Sequence, residues 1–250
     1  MKQAPSCALN STNPDGQEEL AEAEAPGFRG EIAMKWDKRL LGLLVLAAIL
    51  FTVPVYPVHA EDAIINKLVV LPSSEYNVKE AEAMKERLAK IPARILNQLY
   101  DKGVTIKLTN DIITNEPELS YLKGVTPRGW EGTGMTWDDV PGVSERIVAA
   151  RIGYSNKGHG HNSFNLEIHE TMHAVDRIVF NEISSTEEFK NIFNQEANIK
   201  YNGDGYVSVH PTEYFAETAS LYVYSDATRE ELKETTPLTY EFMDKLFANP

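Results

Sequence analysis

The chain has a single cysteine, Cys7, in 250 residues. Without a second thiol no intramolecular disulfide can form, and beyond residue 7 there is no thiol nucleophile. Cysteine-protease chemistry is thereby removed, and core packing and metal binding are left as the sources of stability. Basic charge is also scarce: 24 Lys and Arg stand against 37 Asp and Glu, a formal net charge of −13. That balance argues against nucleic acid or an anionic membrane surface as a partner. Internal repeats are absent, and there is one long apolar run, from Leu40 to about Val58.

That run has the flanks of a leader. Lys35-Trp36-Asp37-Lys38-Arg39 precede it, Val58-His59-Ala60 close it, and the acidic Glu61-Asp62 follow. A basic start, an apolar middle and small residues before a cut describe a signal peptide over 34–60, cleaved after Ala60. Met34 sits where such a leader would begin, so residues 1–33, polar and rich in Glu and Ala, read as an extension without a packed core. An uncleaved anchor is the rival reading, because the run approaches spanning length. Pro54, Pro57 and the small residue at 60 favour cleavage. The expectation is a secreted, extracellular product, residues 61–250, of a size for one domain and without stable membrane association.

Within 61–250 the pattern changes once. Asn66–Leu71 reads as a strand stopped by Pro72. A helix opens at Asn77, with Glu80 completing a capping box, and runs through Ala81, Met84 and Leu88. Pro92 breaks it, and it resumes through Ile95, Leu96 and Leu99 until Gly103. Val104–Leu108 alternates as a second strand, and 124–142 is a glycine- and proline-rich loop. Arg146–Tyr154 is β-branched enough for a third strand. Beyond Asn162 the chain reads helical, including a helix capped by Ser185 with Glu188, one from about Pro211, and a last one opened by Thr236 and Pro237. Strands first and helices after predict an α+β domain: a small mixed N-terminal lobe, a mainly helical C-terminal lobe, and a cleft between them.

The chemistry concentrates at His169-Glu170-Thr171-Met172-His173. On a helix, residues four apart lie one turn above each other, so both imidazoles can share one Zn²⁺, with Glu170 beside it as a general base. A catalytic zinc takes three protein ligands and keeps one position open. A third histidine in the metzincin pattern would need Gly at 176 and His at 179, where Asp176 and Val179 stand. Thr212-Glu213-Tyr214-Phe215-Ala216-Glu217 instead offers two carboxylates at i and i+4 beside apolar positions. Glu213 is the expected third ligand, and Glu217 the group that hydrogen-bonds a ligand imidazole. The alternative is an acid pair on a solvated helix face.

Other residues are ambiguous by spacing alone. Tyr206 follows a glycine-rich approach and reads either as a packed tyrosine or as a donor to a developing oxyanion. His159 and His161 flank a glycine in a loop that is a poor platform for a preorganised ligand, and they read as rim residues. His210 reads the same way.

With these residues identified, the chain resembles the Pro-Pro endopeptidases, small secreted zinc proteases related to the catalytic domain of anthrax lethal factor. The resemblance is carried by H-E-T-M-H-A-V-D at 169–176, E-Y-F-A-E at 213–217, and G-W-E-G-T-G-M-T-W-D-D-V-P-G at 129–142, and it covers nearly all of 61–250. It implies a zincin-like fold with a twisted sheet and one zinc per chain on His169, His173 and Glu213. It also implies Glu170 as base, Tyr206 as oxyanion donor, and Trp130 lining the cleft against substrate prolines. Trp137 is the competing aromatic of that loop. The stretch Ser144-Glu145-Arg146-Ile147 corresponds to one that differs among family members with different flanking preferences. Ser144, Glu145 and Arg146 are therefore the candidate subsite residues.

The implied substrates are proline-rich extracellular or surface-attached proteins. A bond to proline has no N–H, and its ring holds the chain near polyproline II geometry. The scissile residues therefore need an apolar face, with ladder bonds displaced to an edge strand, for which Arg146–Tyr154 is the candidate. The alternative function is a non-catalytic binder of proline-rich peptides on the same scaffold. The retained Glu170 separates the two, because a binder needs no carboxylate beside the metal.

Overall fold

The computed structural model describes residues 60–128 and 130–248; Cys7 and all of the expected leader except Ala60 lie before that range. The first described element is a helix where the sequence suggested a strand. α1 (Ala60–Leu68) runs directly into β1 (Val69–Val70). Ile64, Ile65 and Leu68 form one buried helical face, so only three residues remain before Pro72, and two of them join the sheet. α2 (Val78–Leu88) and α3 (Ala93–Asp101) match their periodicity, burying Ala81, Met84 and Leu88, then Ile95, Leu96 and Leu99. Asn77 caps α2 by accepting from the Glu80 N–H at 3.1 Å. Glu80 itself turns its carboxylate to Arg87 at 2.9 Å rather than back to the cap.

The sheet has four strands in the order β1-β2-β4-β3. β2 (Ile106–Thr109) pairs in parallel with β1 and with β4 (Val148–Arg151), and β3 (Gly142–Ser144) pairs antiparallel to β4. The expected strand over Arg146–Tyr154 is thus shorter, and β4 is interior rather than an edge. Residues 145–147 form the turn that precedes it, where the Glu145 N–H donates to the Ile147 carbonyl at 3.0 Å. The edge is β3, whose three residues are too few to show any period.

Side chains alternate across the sheet. Ile106, Leu108, Val148 and Ala150 enter the main core. Val143 and Ala149 face the other way, onto a second cluster with Ile113, Leu119, Leu122 and Ile147.

The remainder is helical, as expected. α4 (Leu166–Ala174) continues as a π turn over Val175–Val179. α5 (Glu187–Lys200) is capped by Thr186, one residue later than the sequence suggested. α6 (Pro211–Tyr224), α7 (Asp226–Thr235) and α8 (Pro237–Phe247) follow. Buried on nearly every side from Glu213 to Val223, α6 is the central post of the helical lobe. Phe189, Tyr214, Phe215 and Phe242 pack around it with ring centroids 5.2–6.1 Å apart. No helix among the described residues is long and apolar enough to cross a membrane.

Candidate active site

α4 and α6 bring the sequence's zinc-ligand candidates to one point. His169 and His173, one turn apart, face their Nε2 atoms at 3.1 Å. Glu213 Oε2 lies 3.2 Å from the first and 3.3 Å from the second. Three donors bonded tetrahedrally to a zinc at 2.0–2.1 Å are separated from each other by about 3.3–3.4 Å. The triangle therefore has the size the ion requires, and its donor set, two imidazoles and one carboxylate, is that of an open zinc site. Electrostatics agree. Burial opposes charge on His169, yet hydrogen bonds with Glu213 and Glu217 outweigh it and raise its pKa to about 10. Burial likewise opposes charge on Glu213, but the two histidines hold its carboxyl well below the usual range. The cluster demands positive charge, which a divalent cation supplies.

The supporting partners are specific. Glu217 Oε2 accepts from His169 Nδ1 at 3.1 Å, while Oε1 and Oε2 receive the Phe164 N–H at 2.9 and 3.2 Å. Glu217 therefore fixes the tautomer and ring orientation of His169, as its i+4 spacing from Glu213 suggested. Beneath α4, a fully buried Glu167 pairs with Arg87 of α2. Arg87 also reaches Ser155 Oγ at 2.8 Å, and Asn165 Nδ2 donates to Glu167 at 3.1 Å. This network locks the first turn of α4. It escaped the sequence reading, because its central pair, Arg87 and Glu167, stands 80 residues apart in the chain.

Glu170 projects into the cleft beside the triangle. Burial raises its pKa, and the two imidazoles pull it part of the way back. Tyr206 faces the same cleft on a turn in which Asp204 Oδ1 accepts the N–H groups of Tyr206 and Val207 at 3.0 and 3.1 Å. Gly203 adopts φ +91 there, a conformation side chains rarely accept. Shielding from water and the neighbouring Glu213 carboxylate push the Tyr206 phenol up to about 12, so it stays protonated as a donor near neutral pH.

Trp130, Trp137, Ser144 and Glu145 line this cleft. The two tryptophans differ: Trp137 packs with Val140 on the second hydrophobic cluster, and Trp130 does not. The hairpin turn is pinned by Arg177 of the π turn, which donates to the carbonyls of Ser144 and Glu145 at 3.2 and 2.9 Å. Arg146 points elsewhere, its guanidinium 4.8 Å from the centroid of the Tyr121 ring. Among the rim histidines, His161 uses both ring nitrogens locally, on Ser163 Oγ and the Tyr154 carbonyl. Exposed His159 meets the Gly153 carbonyl, and His210 precedes α6 with its ring edge-on to Tyr206. Asp176, where a metzincin has glycine, is buried and accepts from Ser184.

A helix-borne histidine pair, a glutamate from a second helix and a base in a cleft beside a sheet edge define a metalloendopeptidase of the zincin class. Residues 58–246 match the family described as anthrax toxin lethal factor, N- and C-terminal domain. The chain is 70% identical over 217 residues to a Pro-Pro endopeptidase of Paenibacillus alvei, covering 86% of this chain and all of that protein. It is 44% identical over 220 residues to a Pro-Pro endopeptidase of Clostridioides difficile, covering 85% and 99% respectively. A solved structure of the Paenibacillus alvei Pro-Pro endopeptidase superposes with a TM-score of 0.72 at 75% identity, over 74% of this chain and all of the other. The chain belongs to the Pro-Pro endopeptidases of the lethal-factor family.

Proposed function

We propose that this chain is a secreted zinc endopeptidase that hydrolyses Pro-Pro bonds in proline-rich extracellular or surface-attached proteins. The observation that carries the reading is the zinc-sized triangle of His169, His173 and Glu213 with Glu170 beside it, in a cleft that also holds Trp130. Bound there, zinc would polarise the scissile carbonyl and lower the pKa of a water to about 7. Glu170 takes the proton of that water and delivers it to the departing proline nitrogen. The Tyr206 hydroxyl donates to the oxygen on which negative charge develops. Tyr206→Phe is then expected to lower kcat roughly 10²-fold with metal content unchanged, measured by steady-state kinetics on a Pro-Pro peptide.

The substrate strand lies along the free edge of β3, its flanking residues making ladder bonds and its proline rings resting on Trp130. Ser144 and Glu145 bear on the residues that flank the prolines, and Arg146 acts by shaping the hairpin on Tyr121. Export follows from the leader at 34–60, with cleavage after Ala60, and the acidic chain has no affinity for nucleic acid. The chain contains 13 prolines, no two of them adjacent, and so offers no such bond to itself. A non-catalytic binder is disfavoured because Glu170 is retained at the metal.

The experiment is a matched pair of peptides with Pro or Ala on each side of the scissile bond, cut positions being read by mass spectrometry. Trp130→Ala is expected to lose roughly tenfold or more in Pro-Pro cleavage while zinc content and helical circular dichroism stay normal. Trp137→Ala is expected to cost roughly 2 kcal/mol of stability instead, less than for a fully buried tryptophan. Equal cutting of both peptides by the wild type would overturn the assigned specificity.

A further inference from the structure

Unlike Glu213 and Glu217, Glu170 is held by nothing polar. Among the described residues no hydrogen bond or ion pair reaches its carboxylate, and only burial and the charges of its neighbours act on it. Its direction must therefore come from packing, and the partner is backbone. Where β3 passes over α4, a Cβ built on Gly142 would lie 3.0 Å from Glu170 Cγ and 2.7 Å from Leu166 Cδ1. Carbon atoms at rest stand about 3.5–4.0 Å apart, so no side chain fits there as the chain stands.

Glycine is not required at 142 for its backbone conformation. Gly142 is an ordinary extended residue of β3, outside the positive-φ positions. What the position requires is space. Nor can the strand back away. Gly142 is registered against Ala150, the Arg151 N–H donates to the Pro141 carbonyl at 2.8 Å, and β4 is held on its far side by β2. Any atom added at 142 is absorbed on the α4 side. The end of the Leu166 side chain can rotate aside, but Glu170 Cγ lies in mid-chain, and moving it swings the carboxylate.

We infer that Gly142 is a positioning residue for the reaction: its missing side chain leaves the slot in which Glu170 lies, and the strand backbone is the wall that aims the carboxylate. The inference rests on the reading of Glu170 as the base. It also explains why the first residue of the edge strand that receives substrate is the one residue type without a side chain.

The test is Gly142→Ala, alone and combined with Leu166→Val, assayed beside the wild type and Glu170→Gln. Gly142→Ala is expected to lower kcat about 10²-fold, the cost of misplacing a reacting group by about 1 Å. KM should stay within about twofold and zinc should remain stoichiometric. Leu166→Val removes the Cδ1 contact but keeps a γ carbon where Leu166 Cγ would stand 3.1 Å from the new Cβ, so the double variant should regain part of the thermal midpoint but not kcat. If the single variant does not fold, the double variant carries the same kcat comparison. A crystal structure of either should show the Glu170 carboxylate displaced with His169, His173 and Glu213 in place. A wild-type kcat in Gly142→Ala, or full recovery of kcat by Leu166→Val, overturns the inference while an inactive Glu170→Gln leaves the base assignment standing. An active Glu170→Gln takes both down.

Discussion

Glu170→Gln is expected to bind zinc at wild-type stoichiometry and to lose about 10³-fold or more in kcat on a Pro-Pro peptide. Glutamine keeps the shape of the side chain but cannot accept a proton. The general-base step and the return of that proton to the proline nitrogen are lost together, and each proton transfer of this kind contributes about 10²–10⁴-fold. The geometry favours a large effect. Burial raises the proton affinity of Glu170 while His169 and His173 restrain it, which suits a group that must both take and release a proton. The triangle does not include Glu170, so metal retention separates loss of the base from loss of the site. The measurement is single-turnover cleavage with elemental analysis of the same sample, and a zinc-replete variant turning over at the wild-type rate would remove Glu170 from the mechanism.

Stripping the metal is expected to lower turnover more than 10³-fold, and readdition of one zinc per chain to restore it, because the polarisation of the carbonyl and of the water disappears at once. The fold is expected to persist. The first turn of α4 is locked by Arg87 and Glu167 rather than by the ion, and α6 is buried along its length. Far-ultraviolet circular dichroism should therefore change little, while the thermal midpoint falls by the lost binding free energy. Collapse of the helical signal on chelation would show instead that the ion organises the lobe. An active metal-free protein would overturn the site.

The parts of the site that were legible in the sequence are those that periodicity carries. Four residues make nearly one helical turn, so His169 with His173 and Glu213 with Glu217 announce their common faces before any tertiary contact is known. Their meeting across 44 residues follows from donor chemistry, because an open zinc site wants a third ligand from elsewhere. Loops have no such period. Spacing left Tyr206 undecided and said nothing of Trp130 against Trp137, and only family resemblance pointed to roles for them. The strands were blurred for related reasons. β3 is too short to alternate, and the end of α1 from Asn66 was read as strand because Leu68 runs on into the apolar Val69, Val70 and Leu71. The Arg87–Glu167 pair joins positions 80 residues apart, and local patterning carries no trace of it. The slot at Gly142 is a space between two elements, which no single segment encodes.

The edge that β3 presents is three residues long, about 10 Å of backbone. A docking edge of that size takes an extended stretch and nothing thicker. A helix, a hairpin or a packed domain surface carrying two adjacent prolines cannot enter without first unravelling, whereas a proline-rich tether between domains already has the extended shape. With substrate docked along β3 as proposed, targets would be sorted by where the proline pair sits in their architecture before any flanking residue is read. A cut in such a connector would leave the folded bodies on either side whole, and the proposed activity would then detach domains rather than digest them.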